Sequence, residues 1–294
     1  MKKILVPLDG SKVAERVLPY AGLLAEACKA SVELLGVEDA GVRSPFSSSG
    51  GARDYLHKVA TSYFPQAVRV EEVVERGKAA GVIIERAKRD PDCLIAMVTH
   101  GLSGIKRWLL GSVAVKVVQG AENSLLLVRA ADGVEATDQV KFESIIVSLD
   151  GSQLAEQVLP SVVDLGKAMN VEVVLVRAFE LPATAYYRAD EISPTAAAFI
   201  PSYKELVAEF SREPREYLEG KMKELRGRGL QKVRAEVLEG APAEIIIDLA
   251  RNTRGSLIAM CTHGLSGIKR WVLGSVAEKV VNHAENPVLI IRAC

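Results

Sequence analysis

A segment of twenty residues that begins at Thr99 occurs again, almost unchanged, beginning at Thr262. Only two of the twenty positions differ between the copies, which read THGLSGIKRWLLGSVAVKVV and THGLSGIKRWVLGSVAEKVV. Glycine lets backbone amides come close to a phosphate, because no side chain intervenes. A serine follows the last glycine at a predicted helix N-terminus, where unpaired N–H groups and the helix dipole favour anions. The pattern therefore predicts an anion-binding loop in each copy: Gly101, Gly104, Gly111 and Ser112, and Gly264, Gly267, Gly274 and Ser275.

The same residues also have a purely structural interpretation. Gly101 and Gly104 would then only form a turn, and Ser112 would only be an N-cap. The nearly identical second copy weakens this alternative, since apolar strands and helix faces elsewhere have drifted between the copies, as packing allows.

An aspartate follows a short apolar run in each half of the chain, Asp9 in VPLDGS and Asp150 in VSLDGS. A carboxylate at the end of a strand can accept hydrogen bonds from ribose hydroxyls or help to hold a metal ion. Asp-Gly-Ser is equally typical of a residue that caps the following helix. The residues alone leave both interpretations open.

Histidines and basic pairs accompany each glycine loop. A catalytic role for His100 or His263 would need a nucleophile and an orienting group, which we do not identify, so a structural role is favoured. The pairs Lys106-Arg107 and Lys269-Arg270 could reach phosphates. A solvated helix face explains them equally well.

The elements that must position these residues occur twice along the chain. Asp9 aligns with Asp150 at an offset of 141 residues, and Gly101 aligns with Gly264 at an offset of 163, so the second half carries 22 additional residues in its middle. Short apolar runs without alternation predict strands buried on both faces, and they alternate with helical segments. Such an order predicts a parallel sheet with right-handed crossovers. Ligands of these sheets bind at the carboxyl ends of the strands, where the strand order switches.

Helices are predicted after the first strand of each half, near Val82–Arg89 and Ala243–Arg251, and in the middle of the second half. Val13–Ala27 and Leu154–Ala168 read as single helices that follow the first strand of each half. The charged stretch Tyr203–Arg228 reads as a helix interrupted by Pro214.

Length and composition restrict the class of protein. A chain of 294 residues is most simply two domains, here 1–131 and 142–294, joined by a short linker. Lys+Arg and Asp+Glu are equal at 37 each, which argues against nucleic-acid binding. No run approaches the roughly 18 apolar residues that span a bilayer. The four cysteines have no CxxC spacing, which indicates a cytoplasmic protein without a metal site.

At these residues the chain resembles the universal stress protein family in its tandem two-domain form. The family pattern is Gly, two residues, Gly, nine residues, then Gly-Ser or Gly-Thr. Gly101 with Gly111-Ser112, and Gly264 with Gly274-Ser275, match its last three elements. Asp9 and Asp150 match the aspartate that closes the first strand. Val98 and Cys261 stand where the family has its first glycine.

The resemblance implies two tandem Rossmann-like domains of the adenine nucleotide alpha hydrolase type, each a five-stranded parallel sheet with helices on both faces. It implies that the last strands, Leu125–Arg129 and Val288–Arg292, pair within the chain, with further homodimerisation possible. It also implies one site per domain for ATP, ADP or AMP, with Mg²⁺. The implied site residues are Pro7, Asp9, Val37, Val98, Thr99, His100, Gly101, Gly104, Gly111, Ser112 and Val113 in the first half, and Ser148, Asp150, Ala178, Cys261, Thr262, His263, Gly264, Gly267, Gly274, Ser275 and Val276 in the second.

Three functions remain as hypotheses. The leading one is an ATP-binding stress or regulatory protein that acts through nucleotide-dependent conformation or partner binding. A slow ATPase, or another enzyme that uses ATP, is the first alternative. Related enzymes carry a second histidine after His-x-Gly or a Ser-Gly-Gly loop after the first strand, whereas here Leu102 follows Gly101 and the strand ends in Asp-Gly-Ser. The second alternative is a scaffold that binds no nucleotide, which Val98 and Cys261 motivate.

Overall fold

The computed structural model describes residues 1–39, 46, 51–99, 110–129, 140–182, 202–262 and 273–292. The predicted site residues that lie outside these ranges are His100, Gly101, Gly104, His263, Gly264 and Gly267. Both Lys-Arg pairs also lie outside them.

Strands and helices alternate in both halves of the described chain. The first half contains β1 (Lys3–Leu8), α1 (Lys12–Glu15), α2 (Leu18–Cys28), β2 (Ser31–Glu38), α3 (Ala52–Tyr63), β3 (Val70–Arg76), α4 (Ala79–Lys88), β4 (Cys93–Val98), α5 (Ser112–Gly120) and β5 (Leu125–Val128). The second half contains β6 (Ser144–Ser148), α6 (Gln153–Glu156), α7 (Leu159–Met169), β7 (Glu172–Phe179), α8 (Tyr203–Gly227), β8 (Val233–Glu239), α9 (Pro242–Asn252), β9 (Ser256–Cys261), α10 (Ser275–His283) and β10 (Val288–Ile291).

All ten strands belong to one sheet, in the order β3-β2-β1-β4-β5-β10-β9-β6-β7-β8. Within each half the pairing is parallel, which confirms the two predicted α/β domains of five strands. The strand order switches between β1 and β4, and again between β6 and β9, so Asp9 and Asp150 follow strands at the two switch points. The halves meet where β5 and β10 pair antiparallel, with Leu126 opposite Leu289. The last strands therefore pair within the chain as expected, while further homodimerisation stays a prediction.

Helices cover both faces of the sheet. On one face α2, α3, α7 and α8 pack through apolar residues such as Leu24, Leu56 and Leu218. On the other face α4, α5, α9 and α10 pack through residues such as Ile83 and Ile246. Because strands covered on both faces have no solvent-facing side, they read in the sequence as continuous apolar runs. Among the described residues, no helix is both long and apolar enough to cross a bilayer.

Two equivalent arginines connect the halves beyond the strand pairing. Arg129 follows β5 and donates to the main-chain carbonyls of His283 and Ala284, at distances of 3.3 and 3.4 Å, where α10 ends. Arg292 follows β10 and donates to the carbonyl of Val118 in α5. Cations near the carbonyls of a helix C-terminus are stabilising. The two contacts make the junction approximately twofold symmetric.

The helix predictions need three corrections, all at prolines. The single helices predicted at Val13–Ala27 and Leu154–Ala168 are each two helices, since α2 and α7 begin anew with Pro19 and Pro160 in their first turns. Proline has no N–H to continue the preceding helix, but none is needed in a first turn. Pro214, by contrast, lies inside the continuous helix α8. The cost of about 3 kcal/mol is offset by the apolar face that α8 buries.

Candidate functional site

The aspartates at the two switch points each organise a tight turn. Asp9 Oδ1 accepts hydrogen bonds from the Ser11 N–H at 3.0 Å and from the Ser11 hydroxyl at 2.6 Å. Asp150 holds Ser152 in the same way, at 2.9 and 2.6 Å. Gly151 lies between them with φ +88°, a conformation that glycine adopts without strain.

These turns correct the interpretation of the aspartates as N-caps. Ser11 and Ser152 are the N-caps of α1 and α6, because their hydroxyls accept from the N–H groups of Ala14 and Ala155, each at 3.1 Å. The aspartate stands two residues earlier and orients the capping serine. It is therefore held at the strand end, without being the residue that caps the helix.

The helices that follow the glycine loops begin at a glycine N-cap. Gly111 caps α5 and Gly274 caps α10. Each N–H donates to the carbonyl of the threonine that follows the preceding strand, Thr99 or Thr262, at 2.7 Å. Ser112 is therefore the first residue of its helix and not its N-cap, contrary to the structural interpretation. Since the first N–H groups of a helix have no intrahelical acceptor, this end offers donors to an anion.

In the second half these features surround one cavity of about 300 Å³. It lies at the carboxyl ends of β6, β7 and β9 and at the N-terminus of α10. Every predicted second-half residue that the structure describes lines it: Ser148, Asp150, Ala178, Cys261, Thr262, Gly274, Ser275 and Val276. The fold thus brings together residues that were predicted from the duplicated segment and from the family resemblance.

Sequence reasoning missed seven further residues of the cavity wall, namely Leu149, Ala155, Val176, Pro242, Ile246, Met260 and Ala277. Two signals could have found several of them. Val176 precedes Ala178 by two residues and so shares its face of the strand. Pro242 and Ile246 follow the third strand of the half, whose carboxyl end lies at the same edge of the sheet.

Several first-half positions carry larger side chains than their second-half equivalents. Pro7 lies in β1 beside Leu35 of β2, and Val37 stands two residues after Leu35. Val98 and Thr99 are buried at the end of β4. Across the duplication, Pro7 replaces Ser148, Leu35 replaces Val176 and Val37 replaces Ala178. The wall at this end of the first site is therefore bulkier, and it lacks the serine hydroxyl.

An arginine beside the turn distinguishes the second half. The Arg177 guanidinium lies over the Tyr217 ring, 4.9 Å from its centroid. It also pairs with Glu213 of α8 at 2.8 and 2.9 Å. A Cβ placed on Gly151 would lie 3.2 Å from the guanidinium carbon, so positive charge is packed against the turn that holds Asp150. The equivalent first-half residue is Gly36, which Phe46 and Leu56 cover.

A glutamate behind each turn ties the neighbouring helices together. Buried Glu15 accepts from the hydroxyls of Tyr55 and Tyr63, at 3.2 and 3.1 Å. Glu156 accepts from Tyr217 at 2.9 Å and from Lys221 at 2.7 Å. Burial and the adjacent carboxylate raise the pKa of Tyr55 and of Tyr217, so both hydroxyls remain protonated donors.

The described cavity wall has two acidic groups that can titrate, the Asp150 carboxyl and the Cys261 thiol. Burial raises the pKa of the Cys261 thiol to about 12, so it stays protonated and poorly nucleophilic at neutral pH. Within the described part of the chain, no group of three or more His, Cys, Asp or Glu residues is arranged to hold a metal ion.

Comparison with known proteins agrees with the fold and its duplication. The model of the universal stress protein family matches the chain twice, over residues 1–129 and 141–292. Universal stress protein MJ0531 of Methanocaldococcus jannaschii is 30% identical over 151 residues, which are 51% of this chain and 82% of that protein. YxiE of Bacillus subtilis is 29% identical over 155 residues, 51% of this chain and 99% of its own length. The crystal structure of a universal stress protein from Archaeoglobus fulgidus has the same fold, with a TM-score of 0.72 over 99% of this chain and 98% of that one, at 20% identity.

Proposed function

This chain belongs to the universal stress protein family, and from that premise we propose that it is a regulatory protein whose second half binds ATP or ADP. The observation that carries the proposal is the cavity at the β6–β9 switch point, which combines a strand-end carboxylate with a helix N-terminus. Its volume of about 300 Å³ is at the lower end of ligand sites. That size suits a nucleoside whose phosphates lie at the mouth.

Residues of the cavity wall could contact the phosphates, the ribose and the adenine of a nucleotide. The N–H groups of Ser275 and Val276 at the start of α10, with the Ser275 hydroxyl, would bind phosphate oxygens. The Asp150 carboxylate would accept hydrogen bonds from the ribose. The small Ala178, together with Val176, leaves room for the flat apolar face of adenine.

Mg²⁺ would enter with the nucleotide phosphates. The described cavity wall supplies one carboxylate, that of Asp150. Mg²⁺ typically takes one or two carboxylates together with phosphates and waters, so this wall fits a metal that the nucleotide brings.

Binding and not turnover is the favoured activity. Hydrolysis would need a base or a group that orients water. The Cys261 thiol is protonated, and Asp150 Oδ1 is engaged by Ser152. We therefore propose that nucleotide occupancy changes the conformation or the partners of the protein.

Calorimetric titration with ATP tests the proposal. Gly274→Val places methyl groups at the N-cap that lines the cavity, and the loss of a charge-assisted contact costs about 1–3 kcal/mol, roughly 5–150-fold in affinity. Gly274→Ala should have a smaller effect. Gly111→Val, at the equivalent first-half position, should leave second-half binding unchanged. No heat with millimolar ATP, ADP or AMP would reject nucleotide binding and favour the scaffold hypothesis.

A further inference from the structure

A second cavity, of about 600 Å³, lies at the junction of the two halves. It is bordered by α2 and α7, by the residues that lead into β4, and by β10. Its apolar wall includes Leu24 of α2, Leu94 of β4, Leu165 of α7 and Leu289 of β10. This cavity shares no described lining residue with the cavity at the β6–β9 switch point.

The cavity exists because the junction is not perfectly twofold symmetric. On the equivalent side, Tyr20 of α2 packs on Phe142, which precedes β6, with ring centroids 5.7 Å apart and planes inclined by 34°. The duplication aligns Tyr20 with Ser161 and Phe142 with Met1. Both Ser161 and Met1 line the cavity. A pair of aromatic rings thus occupies one side of the junction, whereas much smaller or unbranched side chains leave space on the other.

The charged groups at this cavity are balanced. Asp92 lies 3.6 Å from the ammonium group of Lys2. Asp164 and Lys167 have opposite signs and stand about one turn apart on α7. The Met1 ammonium acts on Cys28 at the wall. Among the wall residues, Asp92 and Asp164 are therefore matched by Lys167 and this ammonium, and the wall does not select a charged ligand. The hydroxyls of Ser124 and Ser161 instead offer hydrogen bonds.

We propose that this junction cavity binds one small amphipathic molecule that has an apolar body and a neutral, hydrogen-bonding head. The volume lies within the range of about 300–1,000 Å³ for ligand sites, and such sites prefer domain interfaces. The body packs between α2 and α7, and the head meets the two serines. Because the cavity is formed by both halves, its ligand stabilises their junction.

The test uses N-phenyl-1-naphthylamine, a neutral amphipathic dye that fluoresces in apolar surroundings. The full chain should bind one dye saturably, and ATP in excess should not displace it. Ser161→Tyr introduces the residue found at the equivalent position, Tyr20, and its ring should fill part of the cavity. Dye binding should weaken by about tenfold or more, since an overpacked site excludes its ligand. Ser161→Ala, which leaves the space open, is the matched control and should bind within about threefold of the wild type, as one lost hydrogen bond contributes little.

Two further measurements keep the test decisive. Ala168→Trp narrows the cavity from its exposed rim on α7, so it can replace Ser161→Tyr if that variant misfolds. Cys28, at the cavity wall, should react more slowly with N-ethylmaleimide when the dye is bound. The proposal is overturned if the wild type binds no dye, if ATP displaces the dye, or if neither Ser161→Tyr nor Ala168→Trp weakens binding.

Discussion

Aligned positions in the two halves carry different kinds of side chain, charged in the first half and mostly apolar in the second. In the first half, the fully buried carboxylate of Glu33 on β2 accepts two hydrogen bonds from Arg86, at 2.6 and 2.9 Å. It also pairs with Lys3 at 2.5 Å. Arg86 in turn donates to Glu75 at 2.8 Å. These four residues join β1, β2, β3 and α4 through charge.

The second half replaces this network with mostly apolar residues. The duplication aligns Glu33 with Val174, Glu75 with Leu238 and Arg86 with Leu249. Ser144 stands at the position of Lys3, and its buried hydroxyl has no hydrogen-bond partner among the described residues. Both halves nevertheless form the same sheet with the same strand order. This fold therefore does not require a buried charge network. Where the network is present, however, removing one charged residue leaves its partner buried without a counter-charge, which is destabilising.

The largest expected effect comes from breaking the network at one residue. Arg86→Leu introduces the second-half residue and leaves Glu33 with Lys3 alone. Removing one partner of a buried ion pair typically costs about 3–5 kcal/mol. Chemical denaturation should therefore show a markedly lower midpoint for this variant.

The triple variant Glu33→Val, Glu75→Leu, Arg86→Leu should recover that loss, because apolar replacement of a complete buried network is often neutral or stabilising. Lys3 can still reach water, since about a quarter of its side chain is exposed. As a reciprocal control, Val174→Glu buries a carboxylate without its network and should be strongly destabilising. A triple variant as unstable as Arg86→Leu would show that the network specifies the fold of its half.

The same comparison predicts a difference in acid stability. Burial alone would raise the pKa of Glu33, but the hydrogen bonds from Arg86 and Lys3 outweigh it and hold the pKa below the ordinary value of 4.5. A lowered pKa in the folded state stabilises the protein above the ordinary value, and this stabilisation is lost as the pH falls through the lowered one. When the pH is lowered from neutral to acidic, the denaturation midpoint should therefore decrease more for the wild type than for the triple variant. Parallel decreases would mean that Glu33 is not a source of acid sensitivity.

A smaller effect is expected where the two proposed nucleotide sites differ. Val37 in the first half corresponds to Ala178 in the second, which lines the cavity. Ala178→Val should weaken ATP binding by about 1 kcal/mol, roughly fivefold, because it narrows the wall. Val37→Ala should strengthen binding at the first site by a similar factor. Calorimetry on each single variant and on the exchanged pair measures both changes, and equal affinities throughout would place adenine elsewhere.

The sequence predicted the parts of the molecule that depend on local signals. The location of Asp9 and Asp150 just after the first strand of each half followed from apolar runs that end in Asp-Gly-Ser. The start of α5 at Ser112 followed from the glycine before it. By contrast, the pairing of Glu33 with Arg86 joins residues 53 positions apart, and no local sequence pattern indicates it.

The contact between Tyr20 and Phe142 is another feature that the sequence does not reveal, because it crosses from one half to the other. Pro214 shows the same limit of sequence-based prediction within a single helix. The sequence predicts an interruption there, whereas the helix continues and Pro214 is buried. Local sequence patterns thus predicted the candidate site, whereas the contacts that distinguish the two halves became apparent only from the three-dimensional structure.

The smallest expected effect concerns the histidines that the two halves share. His100 and His263 lie outside the described residues, and each could be proposed as a base. Binding that stabilises ATP as strongly as its transition state gives little acceleration. We therefore expect turnover well below the typical enzyme value of about 10 per second. The double variant His100→Ala, His263→Ala should leave this slow rate nearly unchanged. A steady-state phosphate-release assay on pure protein measures the rate. Fast release that the double variant abolishes would establish catalysis, and the two single variants would then show which half performs it.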